Sequence, residues 1–155
     1  MRIALTSLAL ALAACASDPT PAERLAGTWA YEDSDGCLRA FDFDGDRFAF
    51  LHICELAGGG FGVERDEGTF AVSGSRLDVR VVRNSCPDRN PRASIGYELG
   101  DDWLAIDSAD GTSRVVYDRV DESSGGEDDD TLGVSATFGC WNANDVLEPH
   151  AVEAL

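Results

Sequence analysis

Between Leu25 and Val120 the chain alternates apolar and polar residues in short runs, and nearly every run stops at Gly, Asp, Asn or Ser. A period of two over four to eight residues marks half-buried strands, and this region carries no long 3.6-residue period. Eight strands are predicted: Thr28 to Glu32, Cys37 to Phe43, Arg47 to Leu56, Phe61 to Ser73, Arg76 to Arg83, Ala93 to Leu99, Trp103 to Asp107 and Ser113 to Arg119. The fourth should be interrupted by a bulge near Glu67-Gly68. Short connections make successive strands antiparallel neighbours, and a meander of eight removes its exposed edges by closing on itself. The predicted fold is all-β, an eight-stranded antiparallel up-and-down β-barrel.

Three tight turns set the expected registers. In "FDFDGDRFAF", Asp44-Gly45 fits the two central positions of a type I′ turn, which pairs Phe43 with Asp46, Phe41 with Phe48, Arg39 with Phe50 and Cys37 with His52. Gly74-Ser75 pairs Val72 with Leu77 and Phe70 with Val79. Gly100-Asp101 pairs Tyr97 with Leu104 and Ile95 with Ile106. In a meander these three turns share one end of the barrel. The looser segments "DSDG", "AGGG", "NSCPDRNPR" and "SADG" share the other. The period of two also puts Cys37, Arg39, Phe41 and Phe43 on one face with Phe48, Phe50, His52 and Cys54.

Ahead of the strands, Arg2 precedes an apolar run, Ile3 to Ala14, shorter than the ~20 residues that span a membrane. This is the pattern of an export signal. Leu12-Ala13-Ala14-Cys15 resembles a bacterial lipobox, after which residues 1–14 are removed and Cys15 carries lipid; Ala11-Leu12-Ala13 also reads as an ordinary A-x-A cleavage site. The lipobox resemblance implies acyl chains (palmitate among them) at Cys15 and a membrane anchor. With Ala16 rather than Asp after the cysteine, it implies the outer membrane. Residues 15–24 become a lipidated cysteine and Pro-containing spacer, and 25–120 the barrel. The Gly, Ser and acidic stretch 121–135 reads as a disordered linker, and 136–155 as a C-terminal tail. The formal charge of −17 and the absence of lysine argue against nucleic acid as a partner.

With Cys15 set aside, Cys37, Cys54, Cys86 and Cys140 remain, an even number in an exported chain. Zinc is the competing use, but there is no C-x-x-C and only His52 and His150 are available. Of three connectivities, Cys37–Cys54 with Cys86–Cys140 fits the meander best. Cys37 and Cys54 lie diagonally on one face, ~7–8 Å apart and slightly beyond disulfide reach unless the strands twist or slip. The rival Cys54–Cys86 must cross the fourth strand. The favoured pairing staples the tail, with Phe138 and Trp141, over the open mouth.

Leu25-Ala26-Gly27-Thr28-Trp29 at the start of the first strand and Arg119 at the end of the eighth resemble the lipocalins and smaller bacterial lipocalin-like lipoproteins. The resemblance implies a barrel whose base is closed by Arg119 packed over Trp29, a cation–π contact.

Chemistry-bearing motifs are few. Asp42, Asp44 and Asp46 invite a calcium reading, but Arg47 and Ile53 stand where an EF-hand needs Gly and Glu. Gly58-Gly59-Gly60 lacks the Lys of a phosphate loop. A Cys54-His52 nucleophile would be consumed by a disulfide. No cofactor or metal site is expected, and the protein is read as no enzyme. Tyr31, Phe41, Phe48, Phe50, Phe70 and Tyr97, with Arg39 and His52 on the same interior face, either fill the barrel or line a cavity for a small apolar or amphipathic ligand. A protein-interaction or inhibitor module with a filled core, using "NSCPDRNPR" and its neighbours, is the alternative.

Overall fold

The computed structural model describes residues 18–86, 89–108, 110–120, 136–141, 147–149 and 153–154. The expected signal peptide, the lipidated Cys15 and the acidic linker 121–135 lie outside them.

A single helical turn, α1 (Pro21–Leu25), precedes strands β1 (Gly27–Glu32), β2 (Leu38–Asp44), β3 (Arg47–Glu55), β4 (Phe61–Ser73), β5 (Arg76–Asn84), β6 (Arg92–Leu99), β7 (Trp103–Asp107) and β8 (Arg114–Arg119). Each strand pairs antiparallel with the next, and β8 returns to β1 through Trp29↔Arg119 and Ala30↔Asp118. The eight-stranded up-and-down barrel is therefore closed. Three further strands, β9 (Ala136–Trp141), β10 (Leu147–Pro149) and β11 (Glu153–Ala154), extend the sheet. The segment α1 falls largely where a Pro-containing spacer was expected. Thr20, Pro21 and Glu23 form a capping box with proline in the first turn, which is enough to set one turn of helix.

Of the three tight hairpins, the one at Gly74-Ser75 has the expected register, with Val72↔Leu77 and Phe70↔Val79. The other two are each shifted by two residues. Phe43 pairs with Phe48, Phe41 with Phe50 and Arg39 with His52, so the turn is Gly45-Asp46 with Gly45 at φ 60°. Tyr97 pairs with Ile106 and Leu99 with Leu104, and Gly100 N–H donates to the Trp103 carbonyl at 2.9 Å, so the turn is Asp101-Asp102. The gain in the first is physical: Phe43 meets an aromatic rather than an aspartate, and Asp44 stands opposite Arg47. A shift of two leaves every side chain on its expected face.

The bulge falls between Glu67 and Gly68, where Gly68 pairs with Val81 and Glu67 with Arg83, leaving Val82 as the extra residue. Gly68 is required there. A Cβ would run into the Arg80 carbonyl and the Phe48 ring.

The core fills the hairpin end. Leu25, Trp29, Leu77 and Leu104 are at most 1% exposed, packed with Phe43, Phe48, Phe70 and Tyr117. Trp29 Nε1 donates to the Leu25 carbonyl at 2.8 Å, and the Arg119 guanidinium carbon sits 4.4 Å from the centre of the indole. Arg119 also donates to the carbonyls of Arg24 (2.9 Å) and Ala26 (3.3 Å), so it ties α1 to the base it covers.

Candidate functional site

The opposite end is looser and more polar. Side chains of alternate residues point inward, so β2 contributes Arg39 and Phe41, and β3 contributes Phe48, Phe50 and His52. Continuing the ladder, β4 places Asp66 opposite Phe50 and Glu64 opposite His52. Both carboxylates are buried, at 6% and 3% exposure. A charge there needs a partner, and the connection after β5 supplies one. Arg89 Nη1 lies 2.5 Å from Glu64 Oε1 and 3.0 Å from Asp66 Oδ2.

Beneath Arg89 lies a cavity of about 390 Å³, lined by Phe41, Phe48 and Phe50 on one side and Val79, Val81, Ala93 and Ile95 on the other. Asp66, Arg89, Asn90 and Arg92 complete its wall and rim. Aromatic packing shapes its floor: Phe41 lies 4.8 Å from Phe50, 5.7 Å from Phe43 and 5.3 Å from Tyr117, and Phe43 meets Phe70 at 5.0 Å. This volume falls in the range of small-molecule sites. Another hollow, about 340 Å³, lies around Asp42, Asp44, Arg47, Glu67 and Arg83. Its lining is dominated by charged side chains that alternate with the core-facing positions, so it belongs to the outer wall and suits solvent rather than an apolar ligand.

Of the interior residues expected from sequence to meet a ligand, Phe41, Phe48 and Phe50 line this cavity. Phe70 lies lower, 6% exposed in the packed core. Tyr97 packs against that core near the closed end, beside Pro21 and Arg24. Tyr31 meets Tyr117 edge-on at 6.1 Å. Arg39 and His52 are paired at the mouth, with Asp33 4.0 Å from Arg39. Sequence reasoning did not single out Glu64, Asp66 or Arg89. The signal was present, since the inward positions of β4 read Gly62, Glu64, Asp66, Gly68 once β3 fixes their phase.

The two disulfides frame the mouth. Cys37–Cys54 joins the ends of β2 and β3 with Cα atoms 4.4 Å apart; the two-residue register shift sets these residues directly opposite rather than diagonal. Cys86–Cys140 ties β9 to the loop after β5, with Cα atoms 5.0 Å apart. Strand β9 runs parallel to the start of β4, from Phe61↔Ala136 to Val63↔Phe138. It brings Trp141 within 5.7 Å of His52 and its backbone N–H to Glu64 Oε2 at 3.3 Å. Sulfur atoms thus approach His52 and Glu64, but as disulfides they offer no thiolate for a metal or a nucleophile.

Burial shapes the titration of this end. It raises the Asp66 pKa, with Arg89 acting in the other direction. It holds His52 below its usual value, and the nearby Arg39 adds to the effect, so the imidazole is neutral at pH 7. Burial also disfavours the Arg89 charge, but Glu64 and Asp66 outweigh it and raise the pKa. The Tyr117 phenol is pushed up to about 12, chiefly by burial. The site is an apolar, aromatic pocket with a buried acidic pair under an arginine latch. Comparison of the chain with protein-family models, with curated proteins and with solved structures finds no match.

Proposed function

We propose that this chain is a lipid-anchored envelope lipoprotein whose lipocalin-like barrel holds a small apolar or amphipathic molecule without transforming it. The cavity of about 390 Å³ between Phe41, Phe50, Val81 and Ile95 carries this reading. A barrel this small is ordinarily filled by its own side chains, so unfilled apolar volume is a feature to be used. The lipocalin likeness draws further support from Arg119 over Trp29 at the base. The anchor rests on the lipobox-like Leu12-Ala13-Ala14-Cys15, and Ala16 after it favours the outer membrane.

Mass spectrometry of a solvent extract tests the binding reading. Protein stripped of lipid and re-exposed to a membrane extract should return one class of small molecule in near-stoichiometric amount. Recovery of none, with an envelope protein co-purifying, would favour an interaction or inhibitor module instead. Leu38, Phe61 and Phe138, each 38–40% exposed on the outer side of the mouth, are the surface that such a module would use. The anchor has its own test. Cys15→Ser should abolish fatty-acid labelling and release the protein from membranes, and unchanged labelling would remove the lipobox reading.

A further inference from the structure

The acidic pair leaves hydrogen-bonding capacity unused at the cavity wall. Asp66 Oδ2 accepts from Arg89, but Asp66 Oδ1 is buried with no partner. Asn84 stands at the paired position on β5 and is 1% exposed. Its Nδ2 donates to the Cys86 carbonyl at 2.8 Å, which fixes the amide and leaves Oδ1 as an acceptor, also without a partner. Two buried acceptors with no donor thus occupy paired positions, and Asp66 is one of the residues that line the aromatic cavity. Buried acceptors are seldom left so, because the desolvation cost is not recovered.

Charge points the same way. Glu64 and Asp66 share the single cation Arg89, so this buried group carries one negative charge in excess. The other arginines nearby do not offset it. Arg39 is absent from the cavity wall and faces Asp33, while Arg92 sits at the cavity rim exposed to solvent, where its charge is screened. The faces of Phe41 and Phe50 also favour a cation over an anion.

Resting on the reading of the barrel as a ligand binder, the geometry points to an amphipathic ammonium ligand. Its apolar body fills the cavity, and its protonated amine reaches Asp66. An ammonium supplies the three donors and the one positive charge that this corner lacks.

Calorimetric titration with three probes of one chain length, octylammonium, octanol and octanoate, tests it on the full oxidised chain. Octylammonium should bind at least about tenfold more tightly than octanol, because a charge-assisted hydrogen bond replaces an unmade one, and octanoate should be weakest. Asp66→Asn should bring octylammonium down to the octanol level, with circular dichroism matching the parent to show that the variant is folded. Equal affinities for octylammonium and octanol, or tightest binding of octanoate, would overturn the ammonium assignment and leave the cavity reading standing. No binding of any probe would remove both. The wild-type comparison decides the matter even where Asp66→Asn does not fold.

Discussion

Trp29→Ala is expected to lower the unfolding free energy by about 3–5 kcal/mol, the range for truncating a large buried aromatic. The ring is fully buried, so its whole side-chain area returns to water or leaves a void. The loss also spreads through its contacts. The Leu25 carbonyl loses the donor 2.8 Å away, and Arg119 loses the surface on which it rests. With Arg119 unseated, its bonds to the Arg24 and Ala26 carbonyls weaken, and α1 comes away from the base. A domain of this size has only about 5–15 kcal/mol in hand, so much of the population should unfold near body temperature. Urea titration followed by circular dichroism gives the measurement. A midpoint matching the parent would show that the closed end contributes little to stability.

The second large effect belongs to the longer disulfide. Cys86→Ser with Cys140→Ser opens a loop with a sequence separation of 54, against 17 for Cys37–Cys54. Chain-entropy reasoning assigns about 4 kcal/mol to the first and about 3 kcal/mol to the second. The two double variants should therefore rank in that order in denaturant, each read against the oxidised parent. They should also differ in kind. Loss of Cys86–Cys140 frees the strand carrying Trp141, which limited proteolysis should remove while the eight-stranded barrel survives. Loss of Cys37–Cys54 leaves that strand in place. Equal protease resistance of the arm in both variants would show that its pairing with β4 holds it without the covalent tie.

Much of this was legible in the sequence, and for an identifiable reason. Burial on one face writes itself into the chain as alternation, so the strands and the inward sets, Phe41 with Phe50 for instance, can be read directly. Register at Gly45 and Gly100 cannot be read with the same certainty, because a slip of two residues preserves the alternation. The choice there falls to cross-strand pairing, Phe43 against Phe48 rather than Asp46. Glu64 and Asp66 were hidden by their chemistry. Charged residues in a strand ordinarily face water, and the long-range arrival of Arg89, with the Trp141 N–H on Glu64, makes their burial tolerable. Leu25 lies at the end of a five-residue helix too short for any periodic signal, though the Thr20-Pro21-Ala22-Glu23 capping box marks its start.

Strand β4 is longer than its neighbour β5, whose pairing with it ends at Asp66↔Asn84. Its first residues would therefore present bare amide and carbonyl groups to any passing chain. In this molecule Ser85 bonds both backbone groups of Arg65, and β9 covers Phe61–Val63. A chain truncated before residue 136 would keep its barrel and expose that ledge. It would then tend to capture extended segments from other copies, and self-association growing with concentration would be its signature.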